Sequence, residues 1–141
     1  MKLDVTRTQV WAAGVKDEPG ALAEKLEALH QAGANLEYAL ARRAPEEPGQ
    51  GVVVVTPLKG AAQLRAARAM GFVRGDDLYF VRVAGAETPG AAAVITAALA
   101  KSGVNLRGLS ATSIGKRFVA HLALDSAADA TKTIRILKKL T

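Results

Sequence analysis

No cysteine occurs in this chain, which excludes disulfides, thiolate catalysis and cysteine-bound metal. Aromatic residues make up only 4% of it, few for a sheet that would stack RNA bases on aromatic side chains. Long hydrophobic runs are missing too. None approaches the ~18 apolar residues of a membrane-spanning helix, so no membrane partner is expected. Asp4 and Arg7 interrupt the opening residues where an export signal needs its apolar stretch, and a cytoplasmic location follows as the expectation. Only two histidines, His30 and His121, are present. No His-x₃-His spacing, carboxylate cluster or nucleophile–base pair can be assembled from the sequence. Neither catalysis nor a cofactor or metal site is expected.

What is present is mostly aliphatic. Half of the 141 residues are hydrophobic, enough for one compact domain or two small ones. The net charge is +6, from 19 basic and 13 acidic residues, but the basic residues are scattered along the chain. They describe a soluble basic surface better than a nucleic-acid footprint.

The chain repeats itself. DEPGALAEKLEALHQAGAN at residues 17–35 returns as ETPGAAAVITAALAKSGVN at residues 87–105, offset by 70 positions. Alanine matches would mean little here. The Pro-Gly dipeptide and the Gly-x-Asn-Leu turn, both falling at that offset, define a tandem repeat. Pro19 and Pro89 suit the first turn of a helix because their φ is preset and they lack an N–H. Leu22, Leu26 and Leu29 then recur on one helical face, and Gly33 and Gly103 are left-handed stops.

Around this repeat the pattern predicts strand 8–15, helix 21–32, strand 36–43, a proline-rich loop over 44–51, and strand 52–55. The unbroken β-branched run of that last strand suits a central position. A helix over 61–70 and a strand stub over 72–74 close the first unit, and Gly75-Asp76-Asp77 marks the boundary. The second unit repeats the order with strand 78–84, helix 91–102, strand 104–113, a Gly115-Lys116 turn, strand 117–124, and a helix capped by Asp125 or Ser126 and ending near Leu140. No fourth strand follows. The order is βαββαβ and then βαββα, an α+β chain with domains over 1–75 and 76–141. A uncovered strand edge favours pairing between copies.

Strand, Asp-x-Pro-Gly loop, helix, Gly-x-Asn turn and strand in this order resemble the ACT domain, a small module that binds amino acids and regulates metabolic enzymes. The resemblance extends over both halves, and the chain is similar to stand-alone bacterial proteins made of two ACT domains. It implies two ferredoxin-like units in tandem, each an antiparallel sheet with helices on one face. It also implies a free amino acid as ligand, a homodimer, and an amino-acid biosynthetic enzyme as the regulated partner. Carried over residue by residue, the implied ligand contacts are Asp17, Pro19, Gly20, Ala21, Leu22 and Asn35 in the first unit, with Glu87, Pro89, Gly90, Ala91, Ala92 and Asn105 in the second. Asp17 becomes Glu87 and Leu22 becomes Ala92, so the two sites differ in shape. Whether the chain has one site or two stays open.

The chemistry of such a site is plain. Free N–H groups of Ala21, Leu22 and Ala23 at a helix start favour a carboxylate. Gly20 lets a ligand approach the backbone, Asn35 offers a donor and an acceptor, and Asp17 offers a partner for an ammonium. Each residue also has a purely local reading, as turn former or exposed loop acid. His30 is expected in solvent. Phe118, Ala120, Leu122 and Leu124 alternate onto one strand face as core, which puts His121 on the opposite face, as an interface residue. Two other functions remain: ACT units that have lost the ligand and only hold an enzyme in an oligomer, and an RNA-binding module of the same βαββαβ order.

Overall fold

Short aliphatic strands separated by glycine and proline turns assemble, in a computed structural model describing all 141 residues, into two four-stranded antiparallel sheets with four helices. The elements in order are β1 (Leu3–Thr8), β2 (Trp11–Lys16), α1 (Ala21–Gln31), β3 (Tyr38–Arg43), β4 (Gln50–Thr56) and α2 (Gly60–Ala69). They continue with β5 (Val73–Arg74), β6 (Tyr79–Ala86), α3 (Ala91–Lys101), β7 (Leu106–Ile114), β8 (Arg117–Leu124) and α4 (Ala127–Lys139). The chain divides into a continuous unit, Gln9–Gly75, and a split unit made of Met1–Thr8 with Asp76–Thr141. Strand order is β5-β2-β4-β3 in the first and β1-β6-β8-β7 in the second. Both are ferredoxin-like, and the β-branched strand β4 lies inside its sheet, as its composition predicts.

One expectation is corrected. The unit predicted over 1–75 does not own its first residues, and the unit predicted over 76–141 does not lack a fourth strand. The single strand expected over 8–15 breaks instead at residues 9–10, and β1 crosses to pair with β6, from Leu3 opposite Gly85 to Thr8 opposite Phe80. The reason is burial. Leu3 and Val5 alternate into the core of the split unit with Val81, Val83, Leu122 and Leu124. Gly85 permits the approach, since a Cβ there would lie 2.8 Å from the Lys2 carbonyl oxygen. In the continuous unit β5 pairs with β2 only at Trp11 and Ala12.

Each unit has its own core. Leu29, Val53, Val55, Leu58, Ala67 and Phe72 are buried together in the continuous unit, with Leu22, Leu26, Leu64 and Met70 packed against them. In the split unit α3 contributes Ala91, Ile95 and Leu99, spaced by four, and α4 contributes Ala130 and Leu137. Helices therefore cover one face of each sheet. Ser126 caps α4 by accepting from the Asp129 amide at 3.0 Å; of the two predicted caps it is the one used.

A lysine ties the helix pair in each unit. Lys25 on α1 donates to the Met70 carbonyl at the end of α2, at 2.6 Å, and Lys132 on α4 donates to the Ser102 carbonyl at the end of α3, at 2.7 Å. Both satisfy a carbonyl that a helix end leaves open. Thr133 is the opposite case: it is fully buried and its hydroxyl has no hydrogen-bond partner. Because a buried unpaired hydroxyl costs about 1–3 kcal/mol, Thr133→Val is expected to stabilise the protein by roughly 1 kcal/mol or more, raising Tm by several degrees. An unchanged or lower Tm would mean that the hydroxyl is satisfied in solution.

Candidate functional site

The repeated loop–helix junction takes the same form in both units. Gly20 and Gly90 precede α1 and α3 with φ of 88° and 78°, a left-handed conformation that disfavours other residues, and neither helix has a side-chain cap. The Ala21 amide, expected to be free, instead donates to the Glu18 carbonyl at 3.3 Å, as Ala91 does to Thr88 at 3.0 Å. Glu24 and Val94 close the first helical bonds onto Gly20 and Gly90. What remains at each junction is a pair of amides, Leu22 and Ala23 in one and Ala92 and Ala93 in the other. These point along the positive end of the helix dipole.

The two junctions open onto different grooves. In the continuous unit Pro19, Gly20 and Ala21 line an open groove of about 710 Å³ together with Gly14, Lys16 and Gln50 of the sheet and Ala69 and Met70 at the end of α2. Glu18, Glu24 and Lys25 complete its wall. In the split unit Glu87, Pro89, Gly90, Ala91 and Ala92 line a smaller groove of about 310 Å³ against the edge strand β7. There Ser113, opposite Phe118 in the ladder, supplies a hydroxyl, Thr112 lines the groove from the neighbouring position whose side chain belongs to the other face, and Ile95, Phe118 and Ala120 supply an apolar floor.

Not every residue named from the sequence arrives. Asn35 and Asn105 are exposed and line neither groove. They follow the far ends of α1 and α3, eleven-residue helices whose rise of 1.5 Å per residue puts roughly 16 Å between the two ends. Leu22 packs against the core. The Asp17 carboxylate receives Arg43 Nε at 2.8 Å, an ion pair whose side chains are 36% and 81% exposed respectively. Such a pair is worth at most about 1 kcal/mol, so Asp17→Ala is expected to change Tm by only a few degrees, read by thermal melting. Lys16, Lys25, Thr112 and Ser113 were not singled out by sequence. They come from strands and helix positions that only the sheet order brings beside the loop.

His30 is exposed, as expected. His121 is buried, at 6% exposure, on the face of β8 away from the helices, in register with Arg82 and Ser110. No group of three or more His, Cys, Asp or Glu gathers where it could hold a metal ion, and no helix is long and apolar enough to cross a membrane. Phe118, the aromatic that an RNA-binding sheet would display, is 6% exposed within the core.

No protein-family model matches the sequence, nor does any curated protein. Solved structures do match. A protein from Bacteroides thetaiotaomicron superposes with a TM-score of 0.78 at 17% identity, over 96% of this chain and 90% of that one. The ligand-free regulatory subunit of aspartate kinase from Thermus thermophilus gives 0.62 at 20% identity, over 98% and 94%. The regulatory subunit of aspartate kinase from Thermus flavus gives 0.57 at 20% identity, over 95% and 94%. At these identities the likeness is one of fold, and that fold is a pair of ferredoxin-like units.

Proposed function

We propose that this protein is a non-enzymatic regulatory module that binds a free amino acid, works as a homodimer and acts on an enzyme of amino-acid metabolism. The observation that carries this reading is the groove of the split unit. Its volume of about 310 Å³ lies at the small end of the ~300–1,000 Å³ typical of ligand pockets. Its chemistry is that of an amino-acid site: the Ala92 and Ala93 amides face a carboxylate, Glu87 takes the ammonium, and Ser113 orients the ligand over the Phe118 and Ala120 floor. Pro19, Gly20 and Ala21 are the equivalent residues of the other unit. The fold shared with regulatory subunits of aspartate kinase supports the same reading, and so does the burial of Phe118 against an RNA-binding role.

The dimer we propose forms at the edge strand β7. This strand is nine residues long with Arg107 as its only charge, whereas the edges β1 and β3 carry Asp4 and Arg7, and Arg42 and Arg43. Leu109 and Ile114 on it are 46% and 72% exposed. Edges poor in charge and free of proline invite pairing, and a second β7 would wall the open side of the groove. Leu109→Lys with Ile114→Lys is expected to convert a dimer to a monomer in sedimentation velocity; a wild-type monomer at high micromolar concentration would refute this arrangement.

Ligand binding is tested by thermal melting against the twenty amino acids. A ligand at ~100 times its Kd stabilises by about 2.7 kcal/mol, a shift of several degrees for a protein this size. The shift should vanish in Ser113→Val. A flat panel at millimolar concentration would sink the amino-acid reading and leave the ACT units as an oligomerisation element of a partner enzyme.

A further inference from the structure

In the continuous unit the strand that should cover the outer edge of β2 is too short. β5 reaches only Trp11 and Ala12, and the Gly75 amide donates to the Val10 carbonyl at 2.9 Å. Residues two apart on a strand aim their backbone groups to the same side. Val10, Ala12, Gly14 and Lys16 therefore face the β5 side, while Asp17, whose amide donates to the Gly49 carbonyl at 3.0 Å, belongs to the set facing β4. Beyond Ala12 this edge has no partner strand. The Met70, Gly71 and Phe72 amides turn back onto the Ala66, Ala67 and Arg68 carbonyls of α2, which leaves both backbone groups of Gly14 and the amide of Lys16 open along the groove of about 710 Å³.

The split unit shows what occupies the same place. There β1 runs the whole length of β6 in antiparallel register, with Asp4 opposite Ala84 and Leu3 opposite Gly85. By the offset of 70, Ala84 and Gly85 correspond to Gly14 and Val15. The N-terminal end of β1 thus has no counterpart beside Gly14, Val15 and Lys16.

We propose that this open edge is a strand-addition site, completed by a short extended segment of a partner protein that pairs antiparallel with Gly14–Lys16 as the start of β1 pairs with β6. Main-chain bonds hold the segment. An apolar residue opposite Val15 takes the position that Leu3 holds in the split unit, against Ala69 and Met70. An acidic residue opposite Lys16 is favoured: Lys16 is the cation on the strand edge, Lys25 is bound to Met70, and Glu18 and Glu24 stand on the loop and helix side. The volume agrees, being more than twice that of the groove in the split unit. This role does not rest on amino-acid binding in the split unit.

The test is a titration of the ¹⁵N-labelled full chain with an acetylated, amidated peptide of residues 1–4 carrying Lys2→Glu, which places its acid opposite Lys16. Saturable shifts at the Gly14 and Lys16 amides are expected in the wild type and in Gly14→Ala, whose Cβ meets nothing within 4 Å. Gly14→Pro removes an outward N–H without touching the β4 ladder, as edge prolines do, and is expected to weaken the peptide at least tenfold. N-methylation of the peptide at Asp4 removes the matching donor and should do the same without altering the protein. Absence of saturable shifts at millimolar peptide overturns the proposal, as does binding that survives N-methylation.

Discussion

A chain lacking residues 1–8 is expected to lose the fold of its split unit. Leu3 and Val5 are 8% and 6% exposed in the core of that unit, and burying two such side chains contributes about 1.5–3 kcal/mol each. The loss of roughly 3–6 kcal/mol, before counting the six-residue ladder to β6, consumes much of the 5–15 kcal/mol by which domains are stable. Hydrogen exchange read residue by residue checks this. Protection should collapse over β6 and β8 and persist over β4, and a synthetic peptide of residues 1–8 added in trans should restore it. Unaltered protection of β6 would mean that β1 is an ornament of the sheet rather than its fourth strand.

Phe72→Ala is expected to be the most damaging single substitution in the other unit, at about 3–5 kcal/mol. Phe72 is among the largest fully buried side chains, at 2% exposure, and it enters a core otherwise built of leucine, valine and alanine. Its place is that of Val5. Extending the pairing of β5 with β2 puts Phe72 opposite Ala13, as Val5 lies opposite Val83. One buried phenylalanine thus does the anchoring for a strand only two residues long, where the sister sheet uses Leu3 and Val5 along six. Denaturant melts followed by protection over β4 should show the loss within Gln9–Gly75, and a cost under about 1 kcal/mol would rule out this anchoring role.

The comparison explains why β1 was not legible as a separate strand. The pattern places the first strand over 8–15 and gives residues 1–7 no element, and with no glycine or proline before Gly14 nothing local marks the division at residues 9–10. A signal was nevertheless there. Val5-Thr6-Arg7-Thr8 and Phe72-Val73-Arg74-Gly75 share an apolar residue followed two positions later by arginine, but their separation is 67 rather than 70, which hides the match from a search at the repeat offset. Helix positions were better marked. Leu22, Leu26 and Leu29, like Ala91, Ile95 and Leu99, keep helical spacing, and Gly20, Gly33, Gly90 and Gly103 punctuate both units at positive φ.

The form of the loops Pro19-Gly20-Ala21 and Pro89-Gly90-Ala91 was likewise legible, because a glycine turn leading into a helix is a property of a few adjacent residues, whereas their role as ligand contacts came only with the family resemblance. Asn35 and Asn105 were drawn in by the same repeat, yet a helix of eleven residues separates them from the grooves. A repeat conserves what the turn needs as well as what a ligand would need.

By itself, then, the sequence determined the α+β class, the order of elements within each repeat, the face that α1 buries and the two loop–helix junctions, since all of these follow from periodicity and turn chemistry over some twenty residues or fewer. Only the tertiary structure decided that β1 belongs to the unit ending at Thr141, that Thr112 and Ser113 stand beside the second loop, and that β2 keeps an open edge beside the first. Strand pairing is a contest between distant segments for the same edge. Its outcome depends on which side chains find burial, and that cannot be read from either segment alone.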